Sequence, residues 1–349
     1  MKKDFKNLLT LSKKEYLLVG AIFVAVLLIL LYTLYSPNQF DDETVPTVEI
    51  SRGSNFNDVV DTLYQKKIIP NKLGIRLAAF IYNAEKKIKA GRYTIPEGLN
   101  YFQLVELFIN GAPQAEILVT IPEGIWQNDL ASLLNSKLGI DSSYFMKLSK
   151  DMNYINFLDL PANVTNLEGY LLPETYYFYA NSTVEEIIKK LVTEKKKFIA
   201  GKLERRMQEL KLTLNETLTL ASIIDGESNI IGEFKTISGV YHNRLRIKMP
   251  LQADPTIQYL IRDKRKNRIL YKDLEINSKY NTYKYAGLPP SPINNPGKDA
   301  ITAALFPEEH NLLYFVADGT GGHIFARTIK EHENNVKKYR AWRRNKNSQ

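Results

Sequence analysis

The stretch TLNETLTLASIIDGESN, residues 213–229, decides how the rest of the chain is read. Thr213 with Glu216 three residues on makes a capping box, in which each side chain accepts from the other residue's backbone N–H, so a helix begins here. Leu214, Leu218, Ala221 and Ile224 share one face at helical spacing, and Leu220 and Ile223 widen it until the helix is apolar nearly all round. Such a helix is buried. It ends in Asp225, Gly226, Glu227 and Ser228. A buried helix that delivers a carboxylate sets it beside apolar walls, where desolvation raises its pKa and keeps it protonated, ready to act as an acid. An acid at a helix C-terminus also opposes the macrodipole. A solvated acidic helix end fits the composition of these four residues as well, and the residues alone leave both readings open.

Other chemistries lack their residues. With no cysteine there are no disulfides, thiolate nucleophiles or Cys-ligated zinc. His332-Glu333 opens like an HExxH zinc helix, but its fifth position is Val336. The four histidines, His242, His310, His323 and His332, are scattered, and no GxSxG elbow or Walker loop occurs. The glycines of DGTGGH, Asp318 to His323, lie between the β-prone runs LLYFVA and IFA and read as a hairpin. No metal or organic cofactor is expected. Carboxylates remain.

Toward the N-terminus, Tyr16 to Tyr35 reads YLLVGAIFVAVLLILLYTLY without a charge. About 20 apolar residues cross a hydrocarbon core of roughly 30 Å, so 16–36 is expected to be a transmembrane helix. A cleaved signal peptide has a shorter apolar region ending in small residues. This run ends in Tyr32, Tyr35, Ser36 and Pro37, as an interfacial aromatic belt would. Five lysines precede the run, and Asp41, Asp42 and Glu43 follow it before the first basic residue, Arg52. The positive-inside rule then puts residues 1–15 in the cytoplasm and everything after Ser36 outside it. Residues 37–46, acidic and broken by proline, read as a linker.

The charge of +9 divides into +3 over residues 1–15 and +6 over a basic tail at 337–349, while residues 16–336 balance at 36 against 36. A nucleic-acid enzyme carries its excess on the folded face that meets phosphates, so no nucleic-acid partner is expected.

A strand–glycine–helix pattern recurs along the chain. VEISRG (Val48–Gly53), YTIPEG (Tyr93–Gly98) and VTIPEG (Val119–Gly124) each precede apolar residues at helical spacing. Strands near 47–50 and 91–95 enclose helices near 56–67 and 72–82, a β-α-α-β order that resembles a LysM module, a grip for N-acetylated glycans. A plain α/β subdomain that positions the rest fits the same order. The expected layout is α+β: a LysM-like subdomain at 47–118, then a catalytic domain at 119–336.

Five passages carry a wider resemblance: EGYLLPETY (Glu168–Tyr176), ASIIDGES (Ala221–Ser228), VYHNRLRIKMPLQADPTIQY (Val240–Tyr259), YNTYKYAGLPPSPINNPG (Tyr280–Gly297) and LYFVADGTGGHIFA (Leu313–Ala326). In this order they resemble the endolytic murein transglycosylase, or YceG-like, family. The resemblance implies an α+β catalytic domain with a lysozyme-like helix, whose catalytic glutamate is the second acid of an acid-x-acid pair. That position is Glu227. The first acid, often glutamate in the family, is Asp225 here, which leaves its role open. The implied reaction is lytic cleavage of the MurNAc–GlcNAc bond of nascent peptidoglycan, leaving 1,6-anhydro ends and terminating strand elongation. Implied partners are glycan strands, the membrane and the peptidoglycan synthases, the penicillin-binding proteins among them.

The same passages supply candidates for the cleft. Asn243, Arg244, Gln252, Asp254 and Thr256 offer donors and acceptors for sugar groups, and Tyr280, Asn281, Thr282 and Tyr283 add aromatic faces with polar tips. Glu168 and Tyr170 are candidates for its other side. Each residue singly suits a structural role equally well. Two alternatives stand beside this reading: a non-catalytic, membrane-anchored glycan-binding scaffold, and a hydrolytic muramidase with Asp225 as partner carboxylate.

Overall fold

A computed structural model describes residues 12–37, 46–51, 53–262 and 269–347. Most of the linker, and the N-terminal segment before Ser12, lie outside these residues. The chain divides into two compact units, Met1–Ala115 and Glu116–Gln349.

In the first unit, α1 (Lys13–Tyr35) opens with its own capping box, Ser12 with Glu15. Its mean hydropathy of 2.9 makes it long and apolar enough to cross a membrane. The β-α-α-β order follows: β1 (Thr47–Ile50), α2 (Phe56–Gln65), α3 (Lys72–Tyr82) and β2 (Gly91–Thr94), then α4 (Tyr101–Asn110). β1 and β2 pair antiparallel, from Thr47 opposite Thr94 to Ile50 opposite Gly91. Alternation along β1 buries Val48 and Ile50, which join Val60, Leu63, Ile75, Ala78, Tyr93, Leu104 and Phe108 in one core.

The second unit starts at Glu116, slightly before the expected boundary, because that residue already belongs to a paired strand. β3 (Glu116–Thr120) pairs antiparallel with a strand far along the chain, β4 (Thr175–Tyr179). Between them lie α5 (Gln127–Leu138), α6 (Ser142–Leu148) and α7 (Met152–Phe157). After β4 come α8 (Val184–Ile199), α9 (Lys202–Leu210), α10 (Leu214–Glu227), α11 (Phe234–Arg246), α12 (Asp254–Ile261) and α13 (Lys298–Leu305). A hairpin of β5 (Tyr314–Ala317) and β6 (His323–Ala326) and a last helix, α14 (Ile329–Asn347), complete it.

α10 is the axis of this unit. Thr213 and Glu216 cap it reciprocally, and every residue from Thr217 to Ile224 is buried. Leu218, Leu220, Ala221, Ile223 and Ile224 are wholly inaccessible, and each buried Leu or Ile contributes about 1.5–3 kcal/mol. Against this helix pack α11, α12 and α13.

The basic segment at 337–349, expected as a separate tail, is the continuation of α14 as far as Asn347. That helix lies along the hairpin: His332 stacks on Tyr314 with ring centroids 5.3 Å apart, and the Trp342 ring occupies the space where Gly319 would carry a side chain. Within 337–347 Trp342 makes the contact with the hairpin, while most of the basic side chains around it are exposed.

Candidate active site

Glu227 is the last residue of α10, and Ser228 leaves the helix in an extended conformation. Two residues on a helix point about 200° apart, so Asp225 and Glu227 face different surroundings.

Glu227 faces α11 and the start of α12. Tyr241 of α11 donates its hydroxyl to Glu227 Oε1 at 2.5 Å. Desolvation pushes the Glu227 carboxyl up to about 8; the Tyr241 bond and the Arg244 charge oppose the rise, and the Asp254 charge adds to it. Burial and the neighbouring Glu227 charge hold the Tyr241 phenol well above its ordinary value, so it stays a donor. Arg244, one helical turn beyond Tyr241, has its guanidinium bound to the Leu313 carbonyl at 2.7 Å and the Leu251 carbonyl at 2.5 Å. Tyr283 donates to Asp254 Oδ1 at 2.5 Å at the α12 N-terminus. Behind Tyr241 stands Phe315 of the hairpin, edge to face at 5.9 Å. The structure thus gathers Glu227, Arg244, Asp254 and Tyr283 from the expected set, and adds Tyr241. Tyr241 was legible from its place three residues before Arg244 on one helix face, inside a passage already singled out.

Asp225 faces a charged cluster made by the buried Lys195 and the exposed Glu123. Its Oδ1 accepts from the Gly297 N–H at 3.4 Å, and a Cβ on Gly124 (φ +70°) would strike its carboxylate. Burial pushes Asp225 up to about 6, with the Gly297 bond opposing. Beside it Lys195 is 2% exposed and donates to the Pro296 carbonyl at 2.9 Å. Burial pulls Lys195 down to about 7 against the attraction of Asp225 and Glu123. Sequence reasoning passed over Lys195, since a lysine among the solvated lysines of α8 has no local signal of burial.

The other candidates have partners within the protein. Asn243 Nδ2 donates to the His310 and Leu312 carbonyls at 2.7 and 3.1 Å. Thr256 and Thr282 share a hydroxyl–hydroxyl bond of 2.9 Å, and Thr282 also accepts from Ala253 N–H. Asn281 Nδ2 donates to the Leu274 and Ile276 carbonyls, both at 2.8 Å. Tyr280 bonds Ser291 Oγ at 2.5 Å and lies 5.2 Å from the Tyr259 ring. Gln252 is exposed and adopts a left-handed conformation, φ +48°, with its N–H on the Thr282 carbonyl. Glu168 accepts from the Gln127 N–H at 2.9 Å, and burial pushes it up to about 7. Tyr170 is 1% exposed and donates to Asn215 Oδ1 at 3.0 Å. Each of these contacts is made within the protein, so each residue has a structural role. A second polar group near Glu227 was not expected: Glu233 accepts from His323 N–H and lies 2.8 Å from His323 Nδ1, while Ser228 donates to it at 3.1 Å.

Of the carboxyls that burial raises, Glu227 is pushed furthest, and it is the candidate centre of the site on a mixed α and β scaffold. The chain belongs to the YceG-like family, whose model matches residues 48–338. It is 32% identical over 320 residues to an endolytic murein transglycosylase of Bacillus subtilis (strain 168), covering 88% of each chain. A protein of the same name from Streptococcus pneumoniae serotype 2 (strain D39) is 30% identical over 318 residues, which cover 83% of this chain and 57% of that longer relative. A crystal structure of a yceG-like protein from Listeria monocytogenes matches with a TM-score of 0.58 at 33% identity, covering 83% of this chain and 98% of that one.

Proposed function

We propose that the chain is an endolytic lytic transglycosylase of peptidoglycan, with Glu227 as its acid and base. The names of its relatives support the reaction, and the observation that carries the residue assignment is a carboxyl pushed up to about 8 at the end of a buried helix. At neutral pH such a group holds its proton and can pass it to the glycosidic oxygen as the bond to the muramic C1 breaks. Glu227, now a carboxylate, takes the proton from the muramic 6-hydroxyl as that oxygen bonds to C1. The products are a GlcNAc hydroxyl end and a 1,6-anhydro end, and Glu227 regains its proton. Tyr241, on Oε1, fixes the carboxyl's orientation and stabilises the carboxylate between the two steps.

The lytic route needs one carboxyl. Ordinary glycosidases flank the bond with two. Asp225 faces the Lys195–Glu123 cluster, away from Glu227, which favours the lyase over a muramidase. Residues 119–336 form the catalytic domain in this reading, and the first unit's β-α-α-β core acts as a LysM-like glycan grip. α1 anchors the chain in the bacterial inner membrane with its N-terminus in the cytoplasm, beside the synthases whose strands the enzyme ends. Mass analysis of digested purified glycan tests the chemistry. Anhydro ends, each one water lighter than a hydrolysis product, are expected, and Glu227→Gln should lower their formation by at least about 10²-fold. Reducing ends alone would sink the lyase mechanism. A reporter active only outside the cytoplasm, fused after Gln349, tests the orientation.

A further inference from the structure

Helix α3 reads KLGIRLAAFIY and is apolar on two faces. Gly74, Ile75, Ala78 and Ala79 are buried in the first unit's core. The opposite face carries Leu73, Phe80 and Ile81, which are 65, 79 and 62% exposed, with Leu77 partly buried beside them and Arg76 at the edge. An amphipathic helix at a water-facing surface places charges there.

This strip continues the surface of α1. Leu73, Gly74 and Leu77 line one cavity with Val26, Ile29, Leu30, Thr33 and Leu34 of α1. Val26 lies nine residues before Tyr35, about 13 Å along a helix at 1.5 Å per residue. The first two turns of α3 therefore lie beside the outer part of the apolar span, not beyond its end. Lysines bracket it: Lys66, Lys67 and Lys72 on one side in sequence, Lys86, Lys87 and Lys89 on the other. Such side chains keep their charges at headgroup level while their stems cover apolar surface.

We propose that α3 lies in the outer leaflet, with Leu73, Phe80 and Ile81 among the acyl chains, so that the first unit is seated in the bilayer and not merely tethered to it. The proposal rests on reading α1 as a membrane anchor. Lipid is the occupant because the strip begins against a helix surface that lipid covers in that reading, and because lysines bracket it in sequence. The consequence is geometric: a glycan strand held by this unit is held close to the membrane surface, where strands are made.

The chain has no cysteine, so single-cysteine variants label cleanly. Full-length Leu73→Cys, Phe80→Cys and, as anchor control, Ile29→Cys would each carry an environment-sensitive fluorophore in vesicles of phosphatidylcholine and phosphatidylglycerol. All three labels should lose signal to a nitroxide on the lipid acyl chain, to a similar extent, and resist aqueous iodide. Iodide quenching at positions 73 and 80 with nitroxide quenching at 29 would overturn the proposal and leave the anchor standing. Labels at 73 and 80 shielded from both quenchers, with Phe80→Cys cross-linking between copies, would give the strip to a second chain and also overturn it. Iodide quenching at 29 would remove the anchor, and the proposal with it.

Discussion

Replacing Glu227 by glutamine should stabilise the second unit at neutral pH and leave its stability at acid pH nearly unchanged. The Glu227 carboxyl titrates near 4.5 in an unfolded chain and is pushed up to about 8 in the folded one. Between those values the unfolded state has released its proton and the folded state still holds it. The wild-type protein therefore has its full stability from this group below about pH 4.5 and loses it as pH rises toward 8, whereas the amide does not titrate. Each pH unit inside the window is worth 1.36 kcal/mol, so the gap should open to about 3 kcal/mol at pH 7 and level off at about 4–5 kcal/mol above pH 8. Asp225, also pushed up, to about 6, is common to both proteins and cancels. Both tryptophans, Trp126 and Trp342, lie in the second unit, so urea unfolding followed by tryptophan fluorescence in mild detergent reports on that unit alone. A gap that stays flat between pH 5 and 8 would mean that Glu227 is already ionised in the native protein. The argument for it as a proton donor would then fail.

Tyr241→Phe removes the bond that holds Glu227 down, so the alkaline limb of the pH–rate profile should move up by about one to two pH units, as a hydrogen bond to a charged group is worth about 1.5–3 kcal/mol; an unmoved limb would detach Tyr241 from the acid. Asp225→Asn should cost less activity than Glu227→Gln, and its cost should appear mainly in urea unfolding, since Asp225 meets Gly297 and the Lys195 cluster; the reverse order would reassign the acid. Trp342→Ala uncovers the apolar surface around Gly319 and should lower the unfolding free energy by about 1–2 kcal/mol. Truncation after Val336 should also slow cleavage of soluble glycan. Undiminished cleavage by the truncated chain would show that the hairpin behind Tyr241 needs no support from α14.

The elements legible in the sequence were those whose cause is local. The Thr213–Glu216 box starts α10, the apolar periodicity carries it, and its end at Glu227 fell where expected. The DGTGGH hairpin likewise rests on neighbours in sequence, as does each element of the β-α-α-β order taken singly, although Thr47 pairs with Thr94 across 47 residues. What remained hidden depends on partners far along the chain. Whether Glu168 or Asn243 meets a ligand or the protein's own backbone is decided by groups tens of residues away, the Gln127 N–H for Glu168 and the His310 carbonyl for Asn243. Gly169 N–H donates to Asn295 Oδ1 across 126 residues, a bond with no sequence signature. The pairing of β3 with β4 is of the same kind, and so is the burial of Lys195. In α14 the basic composition reads correctly as an exposed segment, while its helical continuation to Asn347 and the place of the Trp342 ring depend on the hairpin.

The C-terminal helix has a practical consequence. α14 packs along a hairpin whose Phe315 stands behind the phenol bonded to Glu227, so the helix and the candidate acid are linked through two rings. A purification tag or fusion at the C-terminal side of α14 is therefore a perturbation to control for. Protein meant for kinetics is better extended there by a flexible spacer, and any rate measured on a C-terminally fused chain should be checked against one tagged elsewhere.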